Sequence, residues 1–167
     1  LKNKTYRAIL KEQKKSASYL KQDPSVFADL IAAYPERKAD LAFFPNSGYP
    51  FYRCEGYDYY PLGDDGWPII LEEMKKAKKY IFMEYFIIEE GEMWNSMLEI
   101  LKEKVKEGVE CRVMYDDMGS IGTIPASYAS KLERLGIHAV SFNRVTPIFN
   151  VIMNHRDHRK ILVIDGK

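Results

Sequence analysis

The sequence predicts an α/β fold, a mixed sheet with helices on both faces. Two observations carry this expectation. From position 67 onward, short apolar runs alternate with helical stretches of about 12 residues, the pattern of strands joined by crossover helices. Glycines stand where those helices should stop, at Gly108 and Gly136, each directly before an apolar run.

The elements follow in order. Residues 5–21 and 25–34 read as helices, the second opened by Asp23-Pro24-Ser25 as a cap. Residues 45–66 are rich in Pro, Gly, Tyr and Asp, which predicts short hairpin strands around 51–53 and 57–62. Residues 67–78 predict a helix and 80–88 a buried strand. Residues 92–106 predict a helix with an apolar stripe at Met93, Met97, Ile100, Leu101 and Val105. A strand is expected over 109–115, a helix over 125–135, a strand over 137–142, a loop over 143–157 and a last strand over 161–164. No internal repeat occurs within this length.

Composition bounds the function. At 167 residues, 46% hydrophobic and 13% aromatic, the chain can bury a core and is not a disordered segment. The charges are nearly balanced overall but unevenly placed. Residues 1–38 hold nine Lys/Arg and four Asp/Glu, and the rest holds 16 and 20. Two regions are therefore expected, a basic helical segment over 1–38 and an α/β domain over 39–167. A basic segment suits an anionic surface such as phospholipid headgroups, or it is a solvated helix face. The longest apolar run, residues 80–88, is too short to span a bilayer and contains Glu84. No stretch reads as a signal peptide. The first residue is Leu1 rather than Met, so an excised piece of a longer chain is expected. Cys54 and Cys111 fit no metal spacing, and Cys111 reads as a core residue.

The chemistry gathers in Asn154-His155-Arg156-Asp157-His158-Arg159-Lys160 and the strand after it. His158 and Lys160 are two residues apart, so an extended backbone puts them on one face. An imidazole beside an ammonium suits a phosphate: histidine attacks phosphorus or moves protons, and lysine neutralises non-bridging oxygens. A histidine and a lysine ahead of a hydrophobic strand also occur without any chemistry. Asp165 lies at the far end of that strand with the opposite parity, which favours a turn-stabilising or indirect role. Glu84 is an acid in an apolar strand; it either pairs near the site or sits at the strand's exposed end. Asp116 and Asp117 follow a strand where α/β sites gather, although a turn capped with Gly119 explains them as well. Arg156 and Arg159 flank the motif and face either phosphate or solvent. His138 reads as structural.

His158-x-Lys160-x-x-x-x-Asp165 resembles the signature of the phospholipase D superfamily. The likeness extends through residues 52–67, 80–88, 112–120 and 154–167 to the bacterial cardiolipin synthase family. That resemblance implies His158, Lys160 and Asp165 as the catalytic set; Glu84, Asp116 and Arg159, singled out above by their own positions, are the candidate substrate contacts beside it. It implies a phosphatidyl transfer between two phosphatidylglycerols through a phosphohistidine, with no cofactor and no metal. Family members pair two signatures, in one chain or across a dimer, and follow each with a Gly-rich strand carrying an Asn. One signature stands here and no such strand follows, so this chain looks like a front half, expected to be inactive alone. The implied partners are anionic phospholipid, a membrane surface and the second signature half, and the implied location of the parent protein is the cytoplasmic membrane. Two other readings stand beside it. One is a dimeric nuclease or phosphodiesterase of the same superfamily, and the other is a non-catalytic anion-binding α/β module. The preferred reading has no nucleic acid.

One geometric expectation follows. The strands over 80–88 and 109–115 run parallel, because a helix crosses between them. His158 and Lys160 stand at the start of their strand, not its end. They reach the edge that carries Asp116 and Asp117 only if the last strand is reversed.

Overall fold

The computed structural model describes residues 3–145 and 156–166, with side chains from Tyr6 onward. Residues 146–155, which include most of the expected loop as well as Asn154 and His155, lie outside the described residues. The chain divides into two compact units, residues 1–59 and 60–167.

The first unit is helical: α1 (Asn3–Ala17), α2 (Pro24–Ala33), a single 3-10 turn at Pro35–Arg37, and α3 (Lys38–Asn46). The expected cap opens α2. The Asp23 carboxylate accepts from Ser25 N at 2.8 Å, and Pro24 fills the first turn, where no backbone donor is needed. The hairpin strands expected around 51–53 and 57–62 are absent; both stretches are irregular. Phe51 shows why its segment does not pair. Its N–H donates to Gln22 Oε1 at 2.7 Å, and its carbonyl accepts from Gln22 Nε2 at 3.2 Å, so one carboxamide replaces the neighbouring strand.

The second unit carries α4 (Gly63–Lys76), β1 (Tyr80–Tyr85), α5 (Glu92–Lys106), β2 (Glu110–Asp116), α6 (Tyr128–Arg134), β3 (His138–Phe142) and β4 (Lys160–Ile164). Helix α4 begins four residues earlier than expected. Asp64 and Asp65 occupy its first turn, where carboxylates meet the positive end of the helix dipole. The strand order is β3-β2-β1-β4. β1 is parallel to β2, and β2 to β3; β4 is antiparallel to β1. The sheet is mixed, with one reversed strand.

Alternation along the strands sorts the two faces. Ile81, Met83, Cys111, Val113 and Tyr115 are buried and pack against Met74, Leu98, Leu101, Tyr128 and Leu132 of the three helices. Fully burying one such aliphatic side chain contributes roughly 1.5–3 kcal/mol. The Cys111 thiol is pushed up to about 11 by that burial. The other face presents Phe82, Glu84, Met114, Val140, Ile161 and Val163. Val140 is 53% exposed and Ile161 40% exposed. α4, α5 and α6 all direct their apolar stripes into the same core.

Two details fix the frame. Gly136 ends α6 with φ +81°, and a Cβ there would meet Val105 Cγ1 at 2.6 Å, so the return from α6 into β3 requires glycine. Asp165 ties the far end of β4 to the start of β1. Its carboxylate accepts from Lys78 N and Lys79 N, each at 2.8 Å, and from Tyr80 N at 2.9 Å. Those backbone donors, Tyr80 first, hold the Asp165 carboxyl below its ordinary range.

Candidate active site

Three parallel strands end, and the reversed strand begins, at one edge of the sheet. Tyr85 of β1 pairs with Tyr115 of β2 and with Lys160 of β4, while Asp116 pairs with Phe142. The reversal brings His158 and Lys160 to the edge that carries Asp116, and it leaves Asp165 at the opposite one.

His158 and Lys160 meet over one aromatic ring. The His158 imidazole centroid lies 4.6 Å from that of Phe86. Lys160 Nζ stands 5.1 Å from the same Phe86 centroid, within cation–π range, and donates to the His158 carbonyl at 3.0 Å. Both side chains are exposed, so an imidazole and an ammonium stand open to solvent side by side.

Phe86 is set in turn by Gly119. A Cβ on Gly119 would fall 2.3 Å from the Phe86 carbonyl oxygen and 2.8 Å from its ring. Backbone cannot yield at that distance, so Gly119→Ala is expected to displace Phe86. Turnover of the full-length protein should then fall at least tenfold, and its melting temperature should drop. Wild-type turnover in a steady-state assay would show that Phe86 does not set the site.

Behind the exposed pair lies a buried charge cluster. Asp116 has no exposed surface, and Asp157 only 3%. Asp116 Oδ2 accepts from Asp157 N at 2.8 Å, and Oδ1 accepts from Gly119 N at 3.0 Å and from Arg156 Nη1 at 3.1 Å. Desolvation pushes its carboxyl up, but these donors outweigh it and hold Asp116 below the usual carboxylate range. Asp117 binds the next layer out, accepting from Ser141 Oγ and from Val145 N at 2.8 Å. Arg159 Nε donates to Asp157 Oδ1 at 2.9 Å and lies 2.7 Å from Glu84 Oε1. Burial raises the Glu84 carboxyl, helped by the neighbouring Asp157. For Asp157, desolvation is again the largest influence and again loses, here to the Arg159 hydrogen bond and to the neighbouring Glu84.

The structure thus brings His158, Lys160, Glu84, Asp116 and Arg159 to one edge and sets Asp165 apart as a strand tie. The turn capped with Gly119 is present, and Asp116 also reaches across 40 residues to the motif itself. Of the two placements weighed for Glu84, pairing beside the site is the one found. Asp157, Phe86 and Gly119 were not singled out from the sequence as site residues. The available signal was an acid directly before His158 and an aromatic directly after β1. His138 lies at the opposite end of β3, exposed and 3.5 Å from Glu133. Among the described residues no cluster of His, Cys, Asp and Glu is arranged to hold a metal ion.

A mixed α/β sheet whose reversed strand delivers a histidine–lysine pair to the shared strand edge defines a phospholipase D-like domain. Residues 70–167, more than half of the chain, match the family model described as "Cardiolipin synthase, PLD-like domain", and the chain belongs to that family. It is similar to a cardiolipin synthase of Oceanobacillus iheyensis, 40% identical over 66% of this chain and 23% of the relative. It is similar to cardiolipin synthase 1 of Staphylococcus aureus strain COL, 36% identical over 66% of this chain and 22% of the relative. An uncharacterized protein of Streptococcus mutans is 48% identical over 73% of this chain and 26% of its own length. The chain spans about a quarter of the length of these curated relatives. No helix among the described residues is long and apolar enough to cross a membrane.

Proposed function

We propose that the protein carrying this chain forms cardiolipin from two phosphatidylglycerols, with His158 as the nucleophile. The observation that carries the reading is the meeting of His158 and Lys160 over Phe86 at the edge where β1, β2 and β3 end. An imidazole nitrogen of His158 attacks the phosphorus of one phosphatidylglycerol. The bond from phosphorus to the headgroup glycerol breaks, and glycerol leaves with a proton from a second histidine outside this chain. A phosphatidyl–histidine bond remains, and Lys160 neutralises the phosphate oxygens. The terminal hydroxyl of the second phosphatidylglycerol then gives its proton back to that second histidine and attacks phosphorus. The phosphorus–nitrogen bond breaks and releases cardiolipin. On this reading the chain alone is inactive, because the second acid–base group belongs to another half of the parent chain or to a partner copy.

The test uses the full-length protein and vesicles of labelled phosphatidylglycerol. Cardiolipin and glycerol are expected in equal amounts. A base-quenched reaction should carry the phosphatidyl group on the His158 peptide, since phosphorus–nitrogen bonds are labile in acid. Phosphatidic acid and glycerol instead would mark a phosphodiesterase, and cleavage of nucleic acid without lipid turnover would mark a nuclease. Binding to those vesicles should weaken as salt rises, because Arg7, Lys11, Lys14 and Lys15 of α1 are exposed and their attraction is screened within about 10 Å at ~0.1 M. Binding indifferent to salt and to anionic lipid would refute the surface role of α1.

A further inference from the structure

Glu84 stands among the candidate substrate contacts. It lies on the face of β1 that carries Phe82, opposite Ile161 of β4, and its neighbours are Arg159 and Asp157. These two residues bracket His158 in sequence. We infer that Glu84 is a positioning residue for His158: sharing a proton with Asp157 and lying against Arg159, it fixes the residues on both sides of the histidine. The inference rests on His158 being the group that acts.

Three observations support the shared proton. First, Arg159 has one Nε–H, and it is directed to Asp157 Oδ1 at 2.9 Å; Glu84 Oε1, although 2.7 Å away, receives no hydrogen bond from it. Second, Glu84 Oε1 and Asp157 Oδ2 are both buried, and neither has a hydrogen-bond partner among the described residues. Two buried carboxyl oxygens on neighbouring side chains, each without a donor among the described residues, are satisfied together by one proton held between them. Third, among the described residues Asp116 and Asp157 as carboxylates already face Arg156 and Arg159, and a further carboxylate at Glu84 would stand against Asp157, a like charge. The directions of titration agree, Glu84 raised and Asp157 lowered.

The consequence for chemistry is geometric. Asp116 grips Arg156 and the Asp157 backbone from β2, and Glu84 grips Asp157 and Arg159 from β1. His158 is thereby held at its backbone from two strands while its ring stays open to substrate. Misplacing a reacting group by about 1 Å costs on the order of 10²-fold in rate.

The experiment measures kcat and KM for phosphatidylglycerol in the full-length protein with Glu84→Ala, Glu84→Gln and His158→Ala, with melting temperatures alongside. Glu84→Ala should lower kcat on the order of 10²-fold with KM changed less than about threefold. Glu84→Gln should recover kcat to within about threefold of wild type, because its carboxamide NH₂ donates to Asp157 in place of the shared proton. A purely structural role would lower the melting temperature and leave the kcat of the folded enzyme unchanged. A tenfold rise in KM with kcat retained would assign Glu84 to substrate binding. Either result overturns the inference, as does a Gln variant as slow as the Ala variant. Should Glu84→Ala fail to fold, the Gln variant decides alone: near-normal kcat supports the shared proton, and a hundredfold loss overturns it. An inactive His158→Ala with a fully active Glu84→Ala sinks the positioning role only. An active His158→Ala sinks the functional reading and this inference with it.

Discussion

Replacing His158 by alanine in the full-length protein is expected to lower phosphatidyl transfer on the order of 10⁴–10⁶-fold, with the fold intact. Losing a nucleophile from a concerted set removes nearly all of the catalysis the set provides, because the remaining groups have no covalent intermediate to act on. Stability should barely move. His158 is exposed, and its imidazole lies tilted against the Phe86 ring, so the cost is within about 1 kcal/mol. A thermal melt within a few degrees of wild type, beside a transfer rate at background, is the expected pair of measurements. Transfer at more than about a tenth of the wild-type rate would remove His158 from the nucleophile's role.

The path to that prediction shows what the residue pattern makes readable. The alternation Ile81, Met83 and Cys111, Val113, Tyr115 is written into the sequence because each strand has one buried face. The reversal of β4 was derivable as well, since the motif precedes its strand while the acids of β2 end theirs, and only an antiparallel strand brings the two together. The irregular stretch after α3 was not readable. A segment dense in Tyr, Gly and Pro satisfies the local rules for hairpins, yet the partner of Phe51 is the side chain of Gln22, 29 residues earlier, which no local rule anticipates. Helix α3 was hidden by Pro45 in its last turn, a residue that reads as a breaker when met in sequence. Within the site, spacing exposed His158 and Lys160 because strand parity is a local property. The grip on their backbone was not legible: Asp116 stands 41 residues from Asp157, and nothing in either neighbourhood announces the pairing. Family resemblance named the candidate reacting residues, whereas the contacts that hold their backbone needed coordinates.

That grip carries the second large effect. Asp116→Ala is expected to destabilise the protein by about 3–5 kcal/mol, the range for removing one partner of a buried ion pair. The carboxylate has no exposed surface, and its loss takes a buried carboxylate from the Arg156 guanidinium and strips the backbone donors of Asp157 and Gly119 of their acceptor. Asp116→Asn should cost less, about 1–3 kcal/mol, because one oxygen still accepts while the new NH₂ is turned toward a donor. The pH dependence gives an independent check. Asp116 titrates below its ordinary range in the folded protein, so its contribution is present above the unfolded carboxyl value near 4 and is lost as pH falls through the lower folded value. Wild-type stability should therefore decline below about pH 4, and the Ala variant should lose that part of the decline, so the two unfolding curves converge in acid. Activity should fall further than stability alone explains, because losing the Asp116 bonds to Arg156 and to the Asp157 backbone releases the hold of β2 on the residues before His158. Denaturant unfolding at pH 7 and pH 3 separates the terms. A wild-type–variant gap as wide at pH 3 as at pH 7 would mean that the lost stability was packing, and that the charge of Asp116 does not hold the motif to β2.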